Sequence, residues 1–479
     1  MAICYRYRDD DGVILFAELN HGHIHTSYIR DESINNYGNK LKIIYEYINE
    51  YGIRFFGDPT LFELTQENKE EFIRKVHEGF SLAQEIIIEE LVSIESETQK
   101  IKLELKQANK NRDIKLKNNL NNQIEDLSIR SNVFRKLADS IAWYFLQHHY
   151  IANRFYLKGN MPSINNSNLE SGRKFVREFN KNEMGFALLT DITSFLQIGD
   201  VLCIEFEDER IKQSIIELKE GEKNRKLLEM LEDPNNNFEN TYTSLEPKSQ
   251  KQMKRIIKQG CRGERAISVI NNEEGIDSEG TSVKICDVTN LDVEFYTETV
   301  RSLLKDCETD GWALDTIEDE CLFVAAYHLN IPIKKAYQAF TGWLEDCAVN
   351  YPVTNFQSSF NFPLAYPPFI NGIDKSDVID LSLGKKIILS CLNLDRWFDL
   401  GETMDLKCEW MSRKDSDKII KKDKRILYHN NRVAKASLGS NSAVLGNGIP
   451  QRIFFDFLTP LCALKLLKTS LSQTPSSVE

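Results

Sequence analysis

Apolar residues recur at helical spacing from about Glu67 to Gln147, with Phe72, Val76, Phe80, Leu82, Ile86, Ile87 and Leu91 marking one stripe. Past Ser93 the chain turns rich in Lys, Glu, Asn and Gln, and apolar positions such as Ile101, Leu103 and Leu105 become sparse. The stretch QANKNRD, Gln107 to Asp113, breaks the period before a second helix runs toward Leu137. This pattern predicts an antiparallel helical hairpin, exposed along much of its length. Its simplest use is as an arm for packing or self-association.

Other segments follow different periods. Val13 to Leu19 is strand-like, and Leu41 to Tyr51 is a short amphipathic helix. After a loop over Met161 to Gly172, the runs FALLTDITSFLQIGD, VLCIEF and SIIELK are short, apolar or alternating, and separated by turns, which is the pattern of strands. A polar, Asn-rich loop (Glu232 to Thr243) leads into a basic helix from about Lys248 to Gln259. From Asp287 to Val349 the segments TETVRSLLKDC, DECLFVAAYHL and KKAYQAFTGWLEDC predict helices. Tyr351 to Gly372 is aromatic and Pro-rich and is expected to be irregular; KKIILSCL reads as a strand. A last helix is predicted from Thr459-Pro460, where Thr caps and Pro fits the first turn, to about Leu467. The organisation is therefore four segments: an α/β piece over 1–62, a helical hairpin arm over 63–130, a mixed core over 131–270, and a mostly helical region with basic patches over 271–479.

At 479 residues, 28% charged and 41% hydrophobic, the chain has the composition of a multi-domain globular protein. A formal net charge of -12 argues against wholesale coating of nucleic acid but leaves room for a local basic channel. The ten cysteines include no C-x-x-C pair, which removes a zinc ribbon or a redox motif and suits reduced core thiols. The start MAICYRYRDDDG lacks the apolar stretch of a signal peptide, and no run approaches the roughly 18 apolar residues of a membrane span. A cytoplasmic protein without membrane contact is the expectation. His21, His23 and His25 alternate and would share one face of an extended segment, as zinc ligands or as a polar face.

The chemistry concentrates in Gly199-Asp200-Val201-Leu202-Cys203-Ile204-Glu205-Phe206, a charged turn, and Ser214-Ile215-Ile216-Glu217-Leu218-Lys219. As a β-hairpin this places Asp200 at the start of one strand and Glu217 and Lys219 near the end of the next. Residues two apart share a face, and antiparallel pairing brings Asp200 beside Glu217. Two carboxylates supply hard oxygen ligands for Mg²⁺, and a lysine beside them can orient an attacking water or stabilise transition-state charge. Basic residues follow: Lys223, Arg225 and Lys226 after the hairpin, then Lys251, Lys254, Arg255 and Lys258 on one helix face. Lys421, Lys422 and Arg425 lie in the densest basic run, Arg413 to Lys435. Each can neutralise phosphates or stand as a solvated face.

The pattern Asp200, sixteen residues, then Glu217-Leu218-Lys219 resembles the D…E-x-K core of the PD-(D/E)xK nuclease superfamily. Gly199 stands where that superfamily often has Pro. The resemblance spans about Ser131 to Met230. It implies an α+β chain with an αβββα nuclease core over 131–270, Asp200 and Glu217 as metal ligands, and Lys219 as the catalytic lysine. It also implies a further acid on a preceding helix. Asp139 in RKLADSIAWYFLQHH is the best placed, with Glu178 and Asp191 as competitors. By the same resemblance the cofactor is Mg²⁺, with Mn²⁺ as a substitute, and the substrate is DNA. The setting is an anti-phage or restriction effector, with a partner protein and a second copy of the chain as candidate associates. Two alternatives stay open: an RNA endonuclease with the same site, and a non-catalytic nucleic-acid-binding or assembly subunit with a decayed core. No nucleotide-motor, Rossmann, H-E-x-x-H or G-x-S-x-G motif is present.

Overall fold

The computed structural model describes residues 3–8, 14–19, 33–57, 66–146, 149–157, 164, 169–182, 185–207, 210–218, 222–233, 242–272, 274–277, 280, 282–284, 291–330, 332–422 and 426–473. His21, His23 and His25, Lys219 and Arg425 lie outside the described residues, as does the side chain of Arg225. The chain is α+β and divides into two compact units, Lys40–Ile285 and a second made of Met1–Asn39 with Cys286–Glu479. The N-terminal piece clusters with the distant C-terminal region, and the helical arm is continuous with the core. Among the described residues no helix is long and apolar enough to cross a membrane.

The N-terminal strands β1 (Ile3–Arg8) and β2 (Ile14–Leu19) form an antiparallel hairpin, followed by helix α1 (Ser33–Asn49), within which the division between units falls.

In the Lys40–Ile285 unit, α2 (Tyr51–Phe56) precedes two long helices, α3 (Gln66–Asn111) and α4 (Ile114–Leu146). They turn where the period broke: Arg112 adopts φ 56°, and the Asp113 carboxylate accepts the Leu116 N–H at 3.0 Å to cap α4. Helices α5 (His149–Phe155) and α6 (Leu169–Phe179) lead into a three-stranded antiparallel meander, β3 (Gly185–Leu189), β4 (Val201–Glu207) and β5 (Arg210–Ile216). Two helices follow, α7 (Glu222–Glu232) and α8 (Pro247–Asn272), packed together around Leu227, Met253 and Ile256, and then the short hairpin of β6 (Glu274–Ile276) and β7 (Ser282–Lys284).

β3 is an edge strand, and its outward backbone groups need partners. Two side chains from helix and turn supply them. Gln84 on α3 donates to the Ala187 carbonyl at 3.1 Å and accepts the Leu189 N–H at 2.8 Å. The Asn180 amide oxygen accepts the Ala187 N–H at 2.6 Å. The sheet therefore ends at β3 with its edge closed, and α3 is pinned to it.

Beneath that edge, His77 is buried with its ring 5.6 Å from Phe186 and 6.0 Å from Phe145. Burial pushes its pKa down to about 4 from the ordinary 6.5. The unfolded chain therefore binds a proton between pH 6.5 and 4 that the folded chain refuses, so stability falls as pH falls through that window. The expected loss is on the order of 3 kcal/mol. Urea midpoints measured from pH 7 to pH 4 check it. His77→Leu should flatten the profile in this window, and an unchanged profile would refute the assignment.

The other unit continues with α9 (Thr297–Asp310), β8 (Trp312–Ile317), β9 (Leu322–His328), α10 (Ile333–Asp346), β10 (Thr354–Asn355), α11 (Lys375–Ser382), β11 (Lys386–Leu392) and α12 (Leu394–Glu402). Its first sheet has the order β10-β11-β9-β8. Then come β12 (Lys407–Trp410), α13 (Arg413–Lys422), β13 (Tyr428–His429), β14 (Arg432–Leu438), β15 (Asn441–Val444), α14 (Gly448–Asp456) and α15 (Pro460–Gln473). β14 pairs with β12, β13 and β15. This region, expected to be mostly helical, carries two four-stranded sheets among its helices. The run LFVAAYH is a strand, not a helix, buried along nearly its whole length between β11 and β8. The aromatic stretch after Tyr351 is irregular apart from two short 3-10 turns and the two-residue β10, and Phe356, Phe360 and Phe369 are buried in packing. The final helix begins at Pro460 with the Thr459 hydroxyl accepting the Cys462 N–H, as the capping residues implied.

Candidate active site

The β4–β5 register decides what the hairpin brings together. Val201 pairs with Ile216, and the Asp200 N–H donates to the Ile216 carbonyl at 2.8 Å. One step further along this register sets Asp200 opposite Glu217. On the other side Val201 pairs with Leu189, and the Thr190 N–H donates to the Asp200 carbonyl at 3.0 Å. Asp200 thus sits at the mouth of the central strand, between the end of β3 and the end of β5. The expected pairing of the two strands is observed, although β5 ends at Ile216 and Glu217 lies just past it.

Asp200 is held as well as placed. Its Oδ2 accepts the Leu218 N–H at 2.6 Å, which ties the acid to the backbone between Glu217 and Lys219. Gly199 makes the entry possible. Its φ is +77°, and a Cβ there would lie 2.0 Å from Ile215 Cγ2. Proline, locked near φ −65°, cannot take this conformation. Gly199→Ala is expected to destabilise the protein by about 2–4 kcal/mol, combining left-handed backbone strain with overpacking. Urea denaturation checks this, and a cost below about 0.5 kcal/mol would contradict the close approach.

Three acids share this mouth. Asp191, in the 3-10 turn Thr190–Ile192 after β3, has its pKa pushed up to about 6, first by burial, then by the charge of Asp200 and, more weakly, of Glu217, against the lowering pull of Arg135. Arg135, buried on α4, donates from Nη1 to the carbonyls of Asp191 at 2.6 Å and Thr193 at 2.8 Å, and so fixes the turn that carries the acid. Like-charged carboxylates held together by scaffold hydrogen bonds are a frequent feature of sites that work on cations or phosphates.

Asp139 is placed differently from what the resemblance implied. Its side chain and that of Lys136 are both 0% exposed, with Lys136 Nζ 3.2 Å from Asp139 Oδ2. Oδ1 accepts the Ser194 N–H at 2.7 Å, and Oδ2 accepts the Ser194 hydroxyl. Its carboxylate is thus engaged in joining α4 to the turn after β3, and the acid that feels Asp200 and Glu217 is Asp191. Glu178 is exposed on α6 and paired with Lys181 at 2.7 Å. Two partners escaped sequence reasoning, Arg135 and Lys136. The signal was available in RKLAD: charged residues inside an otherwise apolar helix face imply a buried polar network.

Oxygen donors of this kind suit a hard divalent ion. Mg²⁺ takes one or two carboxylates and completes its shell with water and phosphate, and Asp200 with Glu217 is such a set. Among the described residues no three His, Cys, Asp or Glu side chains converge closely enough to cage a metal ion.

The basic residues divide between the units. On α8, Lys254, Arg255 and Lys258 are exposed while Met253 and Ile256 face inward, and Lys254 lies 5.2 Å over the Tyr242 ring. Lys223 is paired with Glu246 at 2.6 Å, an exposed ion pair that a phosphate would have to compete with. Lys421 and Lys422 are exposed at the C-terminal end of α13, in the other unit. No family model, no curated protein and no solved structure matches the chain.

Proposed function

We propose that this chain is a metal-dependent endonuclease that hydrolyses DNA phosphodiesters at a PD-(D/E)xK-type centre formed by Asp200, Glu217 and Lys219. What carries the reading is the register that sets Asp200 at the mouth of β4 opposite Glu217, with a lysine two residues further along the chain. A helix, a three-stranded antiparallel meander and a helix, α6-β3-β4-β5-α7, surround that pair in the order the superfamily uses.

In this reading Asp200 and Glu217 supply the oxygens that hold Mg²⁺ or Mn²⁺. The ion, when bound, activates a water and neutralises charge on the scissile phosphate. Leu218 N–H keeps Asp200 oriented, and Arg135 keeps the Asp191 turn in place. The Lys219 ammonium orients the attacking water or steadies the developing negative charge. Lys254, Arg255 and Lys258 on α8 neutralise backbone phosphates. The role of a defence-system effector, alone or with a partner protein, belongs to this proposal through the resemblance.

A second reading has an observation in its favour. Lys254, Arg255 and Lys258 are exposed on α8 and suit phosphate contact with or without cleavage, as in a subunit that binds nucleic acid or assembles without cutting it. Plasmid DNA incubated with the full chain in Mg²⁺, Mn²⁺ or EDTA separates the two. Nicking or linearisation that requires metal and vanishes in Lys219→Ala supports the endonuclease. Retardation of DNA without cleavage under every metal condition supports the binding subunit. An RNA substrate run in parallel assigns the nucleic acid.

A further inference from the structure

A cavity of about 480 Å³ opens in the unit that contains Cys286–Glu479, where four segments meet. One is the chain after α10, ending at Tyr351. Another is the first turn of α12, whose N-cap Asn393 accepts the Arg396 N–H at 3.4 Å. The third is the end of β12 at Trp410. The last is the β13–β14 hairpin. There Asn430 and Asn431 take φ 48° and 60°, so a two-residue turn of the primed type closes the hairpin and pairs His429 directly with Arg432.

This construction gives the cavity two kinds of wall. Aromatic rings run in series: Tyr351 lies 4.9 Å from His429, His429 lies 6.2 Å from Trp410, and Trp410 is backed by Phe398 at 5.1 Å. Burial lowers the His429 pKa, against the raising pull of Asp395, and so favours the neutral ring. Charges line the cavity beside the rings. Arg432 is anchored by Nε to the Met411 carbonyl at 3.0 Å and by Nη2 to the Trp410 carbonyl at 2.9 Å, which holds its guanidinium at the wall. Arg396 and Asp399 project from α12, both exposed. Asp395 is tied to the Tyr351 hydroxyl.

Each class of ligand can be weighed against these walls. An organic cation would use the rings, but two guanidiniums oppose it, and one of the two carboxylates is already engaged by Tyr351. A purely apolar ligand would strand the charged groups. A planar, partly polar ring attached to an anion satisfies all of them: rings stack on a base, arginines take phosphate oxygens, and carboxylate and amide groups meet base edges. The volume lies in the range of small-molecule sites and suits a single nucleotide.

We propose that this cavity binds a nucleotide, its base stacked on the Trp410–His429 wall and its phosphate held by Arg396 and Arg432. The nucleotide is either a free mononucleotide or the terminal residue of a strand, which share this chemistry.

The test is titration of the full chain in EDTA, so that any cleavage chemistry is silent. Binding is followed by calorimetry and by quenching of tryptophan fluorescence. The probes are the four ribonucleoside monophosphates, ATP, GTP, a 5′-phosphorylated trinucleotide and choline. Saturable binding of at least one nucleotide is expected, weakened tenfold or more by Arg396→Glu, an exposed position that leaves the fold intact, and by Trp410→Leu. Tighter binding of a mononucleotide than of the trinucleotide identifies a free ligand; the reverse order identifies a strand end. Saturation by choline with the nucleotides inert overturns the proposal, as does nucleotide binding that Arg396→Glu leaves unchanged, or no saturable binding up to millimolar concentration. Glu217→Ala should leave this binding intact, which keeps the outcome separate from that of the nuclease reading.

Discussion

Asp139→Ala is expected to destabilise the protein by about 3–5 kcal/mol, a loss large enough to unfold a marginal domain. The reason is burial. Lys136 and Asp139 are both 0% exposed, and removing the carboxylate takes the counter-charge 3.2 Å from the Lys136 ammonium. The Ser194 N–H and hydroxyl lose their acceptor in the same step. A buried donor left without an acceptor costs about 1–3 kcal/mol by itself. Asp139→Asn keeps the shape and one acceptor oxygen and should cost less than half as much. If Asp139 were instead a metal ligand, the pattern would invert. Asp139→Asn would leave the urea midpoint close to wild type in EDTA and would abolish stabilisation by Mg²⁺. Urea denaturation of both variants, with and without Mg²⁺, therefore discriminates between the two roles.

That contrast shows where sequence patterns reach and where they stop. The hairpin holding Asp200 and Glu217 was legible because two short apolar runs, VLCIEF and SIIELK, a charged turn between them and a Gly-Asp entry agree on one pairing. The helical hairpin was legible for a similar reason, a 3.6-residue period broken once near Asp113. LFVAAYH was not, because a strand covered on both faces is apolar throughout and carries no period to tell it from a buried helix. Helix α4 misled in another way. Its spacing put Asp139 on the face toward the strands, which is where it lies, but spacing says nothing about which atoms take up its carboxylate. Ser194 and Lys136 do, and Asp191 meets the Asp200–Glu217 pair. The pairing of the N-terminal piece with a region nearly 250 residues away left no mark in composition or period. The cavity walls are equally long-range, since Tyr351, Arg396 and His429 are brought together only by the folded chain.

Glu217→Ala and Lys219→Ala are each expected to lower cleavage by about 10²–10³-fold, the typical effect of removing one group that stabilises transition-state charge. The two should fail differently. Glu217 is proposed to hold the ion, so its loss should raise the Mg²⁺ concentration needed for half-maximal cleavage, and excess Mg²⁺ or Mn²⁺ should rescue part of the rate. Lys219 is proposed to act on the water or on the charge that develops at phosphorus. Its loss should lower kcat without moving the metal requirement, and no metal concentration should rescue it. Neither change should alter the unfolding free energy from urea denaturation by more than about 0.5 kcal/mol, because Glu217 is half-exposed and lies past the end of β5. Lys254→Glu combined with Lys258→Glu would behave in a third way, raising KM steeply with salt while kcat holds, since phosphate contacts contribute to binding throughout. The decisive comparison is between the first two variants. Equal rates for wild type, Glu217→Ala and Lys219→Ala would trace any cleavage to a contaminant or to another site. A shared loss without the split in metal dependence would mean that the acid and the lysine support the fold of the hairpin's mouth rather than the reaction.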